Sequence, residues 1–345
     1  MNRLKMGIIG VGGITQSRHI PSFQKLQDKV QIYAVQDLDE LKAHDVARTY
    51  HIEKVFPNYQ DMFAEVDAVT IATPNKFHAE IAIAALDAGV HVLCEKPMAI
   101  SVADCRAMVE AANRSGKILA TAYHYRFMKE AQAAKKIIEA GEIGEPYVAR
   151  VQALRRRKVP GWGVFTNQDL QGGGSLIDYG CHLLDLSLWL MNDPEPTEVI
   201  GSTYNYVSKG MDQVNLWGNF DASAFEVDDH ATAYIKFANG ASLIFETSWA
   251  ANIREEANTL SLSGTRGGLE VFPLIVNQAK FGMLMNNEAV WMPGQDTPDV
   301  EQAENFVDSC LGLAEPLVKM GEAMKVTKII EAIYQSSASG KLISI

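Results

Sequence analysis

The sequence predicts an α/β protein in two parts. A doubly wound parallel sheet comes first, and an α+β domain with a large open, mainly antiparallel or mixed sheet follows. Short apolar runs alternate with helix-length segments up to residue 124; these runs are LKMGIIG, VQIYAVQD, VDAVTIAT, VHVLCEK and KILATAYH. Continuous apolarity is typical of strands buried on both faces. Repeated strand–helix units favour a parallel sheet that helices cover on both sides.

Periodicity and turn residues place further elements. Residues 79–88 and 101–115 show helical periodicity, and Gly89 and Gly116 follow them at positions typical of helix C-terminal caps. After residue 124 strand-like segments dominate, interrupted by helices. The helices predicted there span residues 128–140, 298–312 and 320–336, and strands lie near 258–263 and 267–272.

A hairpin is predicted in the stretch AYIKFANGASLIFETSW. Alternating strands flank Asn239-Gly240, a dipeptide suited to a tight type I′ turn. We therefore predict a first domain at residues 1–123 and a second domain at residues 124–345. The last helix of the second domain is free to pack back on the first.

Composition and charge exclude several classes of protein. The chain has 345 residues, of which 47% are apolar and 21% charged, and its net charge is −11. This is ordinary globular composition, and the acidic balance argues against a nucleic-acid partner. No uncharged apolar stretch approaches the roughly 18–20 residues of a membrane span, and the start MNRLKMGIIG lacks a signal-peptide pattern. The four cysteines have neither metal-site nor disulfide spacing, so we expect a cytoplasmic protein with reduced thiols.

A glycine-rich turn follows the first strand. In GIIGVGGIT, Gly10 fits the tight turn of the Rossmann-type dinucleotide fingerprint, and Gly12 fits close approach to a pyrophosphate. Gly13 and Ile14 complete the predicted phosphate-binding turn. The third fingerprint position is usually Gly or Ala but is Thr15 here, so an ordinary strand–helix turn is the other interpretation.

The end of the second strand carries an acidic residue. Asp37 stands where such a residue hydrogen-bonds the ribose hydroxyls of a dinucleotide. A favourable charge at the start of the next helix would also explain Asp37. Because Leu38 follows rather than a cation, the sequence favours NAD over NADP.

Two loops lie at the carboxyl ends of buried strands, where open parallel sheets bind ligands. TPNKFH supplies Thr73, Asn75 and His78, and EKP supplies Glu95 and Lys96. We predict that all five contribute to the cofactor site. Lys96 has two interpretations: an exposed lysine paired with its neighbour Glu95, or a cation held at the hydroxyl or carbonyl of a substrate.

The stretch GGGSLIDYGCHLLDLSLWL is an apolar helix with one polar stripe. Helical spacing places Asp178, His182 and Asp185 on that stripe. One interpretation is structural: Ser175 and Asp178 form a capping box, and His182 bonds Asp185 in the core. The other interpretation is that Asp178 and His182 face a water-filled cleft and that Asp185 supports them structurally. Gly180 inside the helix indicates that a ligand or another backbone packs close.

Asp178 and His182 lie four residues apart on this helix, a spacing that zinc ligands can have. No further His or Cys cluster has suitable spacing, so no metal site is predicted.

Several motifs occur together in one order. They are GIIGVGGIT, AVQD, IATPNKFH, HVLCEKPMA, YHYRF and GGGSLIDYGCHLLD, and they span about residues 5 to 190. In this ordered set the chain resembles the Gfo/Idh/MocA family of NAD(P)-dependent sugar and cyclitol oxidoreductases. The resemblance implies a nucleotide-binding domain joined to an open-faced sheet domain. It also implies a small carbohydrate or polyol substrate, and assembly through that sheet as a homodimer or homotetramer.

The resemblance also implies a catalytic set. The family's Asp-x-x-x-His motif matches Asp178 and His182, and Lys96 is the third member. Histidine suits the removal of a hydroxyl proton as hydride leaves. Asp178 would orient the substrate or tune the imidazole, and Lys96 would stabilise developing negative charge. Because coupled groups in one site share their titration, the sequence does not decide which of Lys96 and His182 takes the proton.

Further substrate contacts are predicted at His124, Arg126 and Trp162. The first two lie in YHYRF, although the family often has a different polar residue in place of His124. Trp162 would stack on a sugar ring, or else fill a core or an interface. The basic run at residues 155–158 is a solvated strand edge, a subunit contact, or a reader of an acidic substrate group. His19 receives no role.

The leading hypothesis is an NAD-dependent dehydrogenase of a sugar, an inositol or a related polyol. One alternative is an NAD-assisted glycosidase or epimerase that oxidises and re-reduces its substrate. The other is a non-catalytic sugar-sensing regulator, since a fold does not fix a function. Lys96, Asp178 and His182 together argue against the regulator.

Overall fold

In the computed structural model, which describes residues 3–210 and 214–345, the chain forms two units. One comprises Met1–Phe127 and Thr297–Met324, and the other comprises Met128–Asp296 and Lys325–Ile345. The first unit therefore includes a segment from late in the chain, whereas the predicted division at residue 123 places that segment in the second domain.

The first unit is built on a parallel sheet of six strands in the order β3-β2-β1-β4-β5-β6. The predicted doubly wound sheet is confirmed, because this order reverses direction at β1. The two-residue β3 was not predicted, since half-buried Lys54 and Val55 make no apolar run. The strands are β1 (Leu4–Ile9), β2 (Val30–Gln36), β3 (Lys54–Val55), β4 (Ala68–Ile71), β5 (His91–Cys94) and β6 (Leu119–Thr121).

Helices alternate with strands along the chain, as the periodicity predicts. Gly116 ends one of them at φ +67°, and Gly89 follows another at φ +80°, so both predicted caps are confirmed. A π-helical turn at Thr15–His19 precedes the first helix. The helices are α1 (Ile20–Gln24), α2 (Glu40–Tyr50), α3 (Tyr59–Met62), α4 (His78–Asp87), α5 (Val102–Ser115), α6 (Lys129–Glu139), α7 (Gln168–Gln171), α8 (Cys181–Leu190), α9 (Pro298–Cys310) and α10 (Met320–Ser339).

Helix α9 explains why residues 297–324 belong to the first unit. Its apolar residues Ala303, Phe306 and Val307 are buried in one core cluster with residues of β1, α1 and β2. On the rim of that core, Lys29 donates hydrogen bonds to Glu304 and Asp308 of α9. An amphipathic pattern shows that a helix covers a core but not which core, so the sequence did not reveal this assignment.

The second unit is built on a mixed sheet of nine strands in the order β14-β13-β12-β11-β7-β10-β9-β8-β15. Among the described strands of this sheet, only β7 and β10 pair in parallel, and this confirms the predicted mixed sheet. The strands are β7 (Pro146–Leu154), β8 (Pro196–Tyr204), β9 (His230–Phe237), β10 (Ser242–Ser248), β11 (Ala257–Gly264), β12 (Gly268–Glu270), β13 (Ile275–Lys280), β14 (Met283–Glu288) and β15 (Ile343–Ser344).

The two faces of this sheet differ. Helix α8 packs against β7, and every residue of α8 is buried. On the other face Ile200, Tyr234 and Ile244 lie side by side on three paired strands, and each is between 40% and 49% exposed. The sheet therefore keeps one open face that carries apolar side chains.

The predicted hairpin is confirmed, but its predicted turn type is wrong. Strands β9 and β10 pair around Asn239-Gly240, and the Gly240 N–H donates to Phe237 O at 3.0 Å. Gly240 has φ +83°, whereas Asn239 is not among the residues with positive φ. A type I′ turn needs positive φ at both central residues. The loop is instead a longer turn that closes with glycine in the left-handed region.

Candidate active site

The glycine-rich turn has the geometry that a dinucleotide site requires. Gly10 has φ +88°, and a Cβ there would lie 2.6 Å from Ala72 O, so only glycine fits. A Cβ at Gly12 would meet no described atom within 4 Å, which leaves its backbone open to close approach. Thr15, the departure from the fingerprint, donates its hydroxyl to Gly10 O at 2.7 Å and so stabilises the same turn.

We expect Gly10→Ala to weaken NADH binding by about tenfold or more. The methyl group would collide with the Ala72 carbonyl, and a non-glycine residue in this region of φ costs on the order of 1–3 kcal/mol. Titration of NADH fluorescence measures the effect. Gly321→Ala is the control, because a Cβ there meets no described atom within 4 Å. Equal NADH affinity in the two variants would contradict the prediction.

Asp37 connects the second strand to the glycine turn. Its Oδ2 accepts the Val11 N–H at 2.8 Å, and its Oδ1 accepts the Asp39 N–H at 3.0 Å. The cap of α2 is Asp39, which accepts the Lys42 N–H, and Asp37 bonds the N–H of this cap residue. Both interpretations of Asp37, a ribose contact and a charge at the helix start, stay predictions. Lys42 Nζ lies 3.9 Å from Asp37 Oδ2 and places a cation beside this carboxylate.

His78 holds the two strand-end loops together. Its Nδ1 lies 2.9 Å from Pro97 O and its Nε2 lies 3.0 Å from Thr73 O. Burial lowers its pKa. The imidazole is fully buried, and a contribution of His78 to a cofactor site stays a prediction. Asn75 is 9% exposed, and Lys96 is half-buried.

Glu95 is a buried carboxylate directly beside Lys96. Its Oε1 lies 2.7 Å from His19 Nε2, and its Oε2 accepts the Lys96 N–H at 3.0 Å. Burial opposes ionisation of Glu95. The hydrogen bond from His19 and the charges of His19, Lys96 and Arg18 outweigh burial and lower the pKa of Glu95 to about 2. His19, which received no role from the sequence, therefore fixes the carboxylate that fixes the backbone of Lys96.

We expect His19→Leu to destabilise the protein more at pH 8 than at pH 5. In the wild type the depressed pKa of Glu95 stabilises the fold above the ordinary carboxyl pKa, and this is lost only as pH falls towards about 2. Without His19 the buried carboxylate lacks its main partner, and breaking a buried pair costs about 3–5 kcal/mol. Burial then raises the pKa of Glu95, so lower pH relieves the penalty.

Urea unfolding at both pH values measures this difference between variant and wild type. His19→Gln, which keeps a donor near the Nε2 position, is the matched control and should lose less. A His19→Leu penalty that is the same at pH 5 and pH 8 would show that Glu95 does not depend on His19.

His124 and Arg126 are both buried in the first unit. Arg18 NH1 lies 3.0 Å from His124 Nδ1. Burial, reinforced by the charge of Arg18, lowers the pKa of His124 to about 3. Arg126 is 1% exposed, hydrogen-bonds Glu322 and donates to Leu317 O at 3.2 Å. These contacts hold residues 317–322, and a substrate contact by either side chain stays a prediction.

The predicted capping box at the start of the polar-striped helix is wrong. Ser175 has helical φ and ψ and makes no capping hydrogen bond of its own. The carboxylate of Asp228 accepts the N–H groups of Gly174 and Leu176, at 2.8 and 2.9 Å, and the Ser175 hydroxyl at 2.8 Å. It also accepts the Tyr334 hydroxyl at 2.7 Å. A carboxylate more than 50 residues away therefore satisfies this helix start.

The glycines of this segment allow close packing. A Cβ at Gly173 would lie 1.9 Å from Tyr334 Oη, and one at Gly174 would lie 1.9 Å from Asp228 O. At Gly180 the nearest atoms are the side chains of Phe245 and Thr247, both at 2.9 Å. The partner of Gly180 is therefore the side chains of β10, not the ligand or backbone that the sequence suggested.

The stripe itself begins in irregular helix. Residues Leu176–Gly180 form a π-helical turn, and α8 continues from Cys181. Asp178 is half-buried, and its Oδ2 accepts the Trp249 indole N–H at 3.0 Å. His182 is 7% exposed and Asp185 is fully buried. The indole fixes one oxygen of Asp178, a partner that the sequence did not reveal because Trp249 lies in a distant strand end.

Lys96 belongs to the first unit, whereas Asp178 and His182 belong to the second. Their joint action stays a prediction.

Trp162 lies on an exposed part of the second unit. The ring is 51% exposed, and its centroid lies 5.4 Å from that of Trp217 and 6.2 Å from that of Phe165. Trp162 is therefore not core filler, one of the two alternatives that the sequence offered.

The part of the chain that comprises residues 3–210 and 214–345 contains no group of three His, Cys, Asp or Glu side chains placed to hold a metal ion. None of its helices has the length and apolarity needed to cross a bilayer.

A Rossmann-type unit with this glycine turn, followed by an open mixed sheet, is typical of nucleotide-dependent two-domain oxidoreductases. Residues 4–123 match the oxidoreductase family model described as an NAD-binding Rossmann fold. Residues 131–270 match the GFO/IDH/MocA C-terminal domain. The chain belongs to the Gfo/Idh/MocA family, and the predicted family and fold class are confirmed.

Relatives of known activity are similar over most of the chain. D-glucoside 3-dehydrogenase of Escherichia coli (strain K12) is 33% identical over 343 residues, which cover 98% of this chain and 96% of that protein. Levoglucosan dehydrogenase of Pseudarthrobacter phenanthrenivorans is 30% identical over 292 residues, 78% of this chain and 73% of that protein. A solved levoglucosan dehydrogenase in complex with NADH has a TM-score of 0.85 at 23% identity, covering 100% and 99% of the two chains, and shows the shared fold.

Proposed function

We propose that this protein is an NAD-dependent dehydrogenase that oxidises a secondary alcohol of a sugar, a cyclitol or a related polyol. The observation that carries the proposal is the glycine-rich turn, in which only glycine fits at Gly10 and the backbone of Gly12 is open to close approach. Membership of the family supports it, since two relatives are named as dehydrogenases of a D-glucoside and of levoglucosan.

The chain's residues fit a dinucleotide. Gly12, Gly13 and Ile14 would receive the pyrophosphate, and Asp37 the adenosine ribose. Thr73 and Asn75 would lie along the nicotinamide side, on loops that His78 and Glu95 hold in place. When bound, NAD accepts the hydride at C4 of its nicotinamide.

We infer a preference for NAD over NADP from the acidic Asp37 and the exposed Leu38 beside it. Lys42, 3.9 Å from Asp37, is the cation that would weaken this preference by attracting a 2′-phosphate. Comparison of kcat/KM for the two cofactors tests the preference, and a higher value with NADP would overturn it.

The proposed chemistry divides between three side chains. His182 removes the hydroxyl proton as the hydride leaves the carbinol carbon. Asp178, with one oxygen fixed by the Trp249 indole, orients the substrate or the imidazole. Lys96 stabilises negative charge on the same oxygen. Oxidation of the alcohol releases one proton, which His182 would take, and one hydride, which a bound NAD would accept. His124, Arg126 and Trp162 remain proposed contributors to substrate binding.

A panel of sugars, cyclitols and sugar acids, screened for NADH absorbance, tests the proposed function. NADH accumulation with one of them supports a dehydrogenase. Product without net NADH would indicate an NAD-assisted glycosidase or epimerase. Sugar binding without any turnover would indicate a sugar-sensing regulator.

We further propose that copies of the chain assemble through the open face of the nine-stranded sheet as a homodimer or homotetramer, in the cytoplasm. The apolar side chains on this face support the proposal: Ile200, Tyr234 and Ile244 are 40–49% exposed. Light scattering of the wild type and of Ile244→Glu tests it. A monomeric wild type would overturn the assembly, and an unchanged mass in the variant would exclude this face.

A further inference from the structure

The four cations of the basic run at residues 155–158 differ in whether their side chains make hydrogen bonds within the chain. Arg156, Arg157 and Lys158 donate hydrogen bonds within the second unit, so their side chains have acceptors in the chain itself. These acceptors are Arg254 O at 3.4 Å, Ala251 O at 2.6 Å and Glu256 Oε2 at 2.6 Å, respectively.

Arg155 is the exception. Its guanidinium carbon lies 4.0 Å from the centroid of the Tyr179 ring and 4.6 Å from that of Trp217. Across the described ranges 3–210 and 214–345, the guanidinium makes no hydrogen bond and no close ion pair, and its charge acts on the Glu256 carboxylate, which Lys158 binds. Contacts with the ring faces hold the guanidinium in place, while the N–H donors stay available in its plane.

Exposed aromatic surface adjoins this guanidinium. Trp217, which contacts Arg155, is 38% exposed, and its centroid lies 5.4 Å from that of Trp162, which is 51% exposed. Indole faces bind the C–H face of a sugar ring by excluding water from it. A fixed cation and two partly open indoles therefore lie side by side.

The position of Arg155 ties this cluster to Asp178. Tyr179, whose ring contacts the Arg155 guanidinium, is the residue after Asp178. The Arg155 N–H donates to Ser248 O at 3.0 Å, and the next residue, Trp249, donates its indole N–H to Asp178. The two segments that hold Asp178 thus also hold Arg155.

We propose that Arg155, Trp162 and Trp217 form a recognition subsite for a sugar that carries an anionic oxygen group. The ring packs on the indoles, and the carboxylate or phosphate receives two N–H donors from Arg155. A planar guanidinium matches such groups bidentately, which a neutral hydroxyl does not require. This inference rests on the proposed function and names its substrate class.

Paired neutral and anionic probes test the subsite. They are D-glucose with D-glucuronate and D-glucose 6-phosphate, and myo-inositol with myo-inositol 1-phosphate. We expect the wild type to favour an anionic member of a pair in kcat/KM, and the two D-glucose derivatives to distinguish carboxylate from phosphate. Arg155→Met keeps the packing and removes the charge. This variant should lower kcat/KM for the anionic member of a pair about tenfold to a hundredfold, through a higher KM. It should lower kcat/KM for the neutral member much less.

Arg156→Met is the matched control, since it removes the same charge one residue away and should keep the wild-type preference. Trp162→Ala should raise KM for both members of a pair alike. A wild type that favours the neutral member, or an Arg155→Met variant that loses both activities equally while still binding NADH, would overturn the subsite.

Quenching of tryptophan fluorescence by D-glucuronate and D-glucose 6-phosphate tests the subsite without turnover. If one of these two ligands quenches the wild type and Arg155→Met abolishes that quenching, the subsite is supported. This holds even if no sugar yields NADH and the proposed function fails. Equal quenching in both proteins, or none in the wild type, would contradict the subsite. Arg155→Lys keeps a charge without the planar guanidinium, and its fluorescence should be quenched only weakly by these ligands. It is the second variant if Arg155→Met does not fold.

Discussion

His182→Ala and Lys96→Ala should each lower kcat strongly while the protein still folds and binds NADH. Loss of a general acid–base group costs about a hundredfold to ten-thousandfold in rate. Loss of a group that stabilises the developing oxyanion costs about a hundredfold to a thousandfold. Steady-state kinetics with the best substrate of the panel, alongside NADH titration, measure both effects.

The pH profile separates the two roles. The variant that lacks the proton acceptor should lose the limb of the kcat profile on which the wild type gains activity with rising pH. His44→Ala is the control, because His44 is exposed on α2 and has no proposed role. Near-normal turnover in both His182→Ala and Lys96→Ala would contradict the catalytic assignment, although the glycine turn would still predict NADH binding.

Asp228→Ala should destabilise the second unit by roughly 3–5 kcal/mol. The carboxylate accepts four hydrogen bonds, from Gly174, Ser175, Leu176 and Tyr334. Each buried donor left without an acceptor costs about 1–3 kcal/mol, and partial rearrangement lowers the sum. Because these donors lie at the start of the helix that carries Asp178 and His182, the variant should also lose turnover more than NADH affinity.

Thermal unfolding and kinetics of Asp228→Ala measure this effect. Tyr334→Phe removes one of the four bonds and should cost only a fraction of the total. Asp221→Ala, at an exposed carboxylate that bonds Ser223, should leave stability within about 0.5 kcal/mol. An Asp228→Ala protein as stable as Asp221→Ala would show that the helix start finds other acceptors.

The parts of the fold that depend on local pattern could be predicted from the sequence. Buried strands such as β4 and β5 form continuous apolar runs, and the glycine turn is encoded in four consecutive residues. The short β3 could not be predicted, because two half-buried residues leave no pattern. The hairpin was predictable, but its turn type depends on the φ of Asn239, which the dipeptide alone does not determine.

The parts of the candidate site that depend on distant partners could not be predicted. His19 and Glu95 lie 76 residues apart, and each alone looks like an ordinary polar residue. The spacing of Ser175 and Asp178 fits a capping box, yet Asp228 provides the cap and Trp249 binds Asp178. Local spacing identified the residues of the helix, but only tertiary structure shows which hydrogen bonds they make.

The late position of α9 determines how the protein can be dissected. Ala303, Phe306 and Val307 fill the core of the first unit, so a fragment that stops at residue 127 would expose the apolar surface they cover. The second unit likewise includes residues 325–345, among them Tyr334, which bonds Asp228. Neither unit can therefore be completed on the ribosome until most of the chain has been synthesised. Expression of the nucleotide-binding unit alone requires residues 297–324 to be joined to it through a linker.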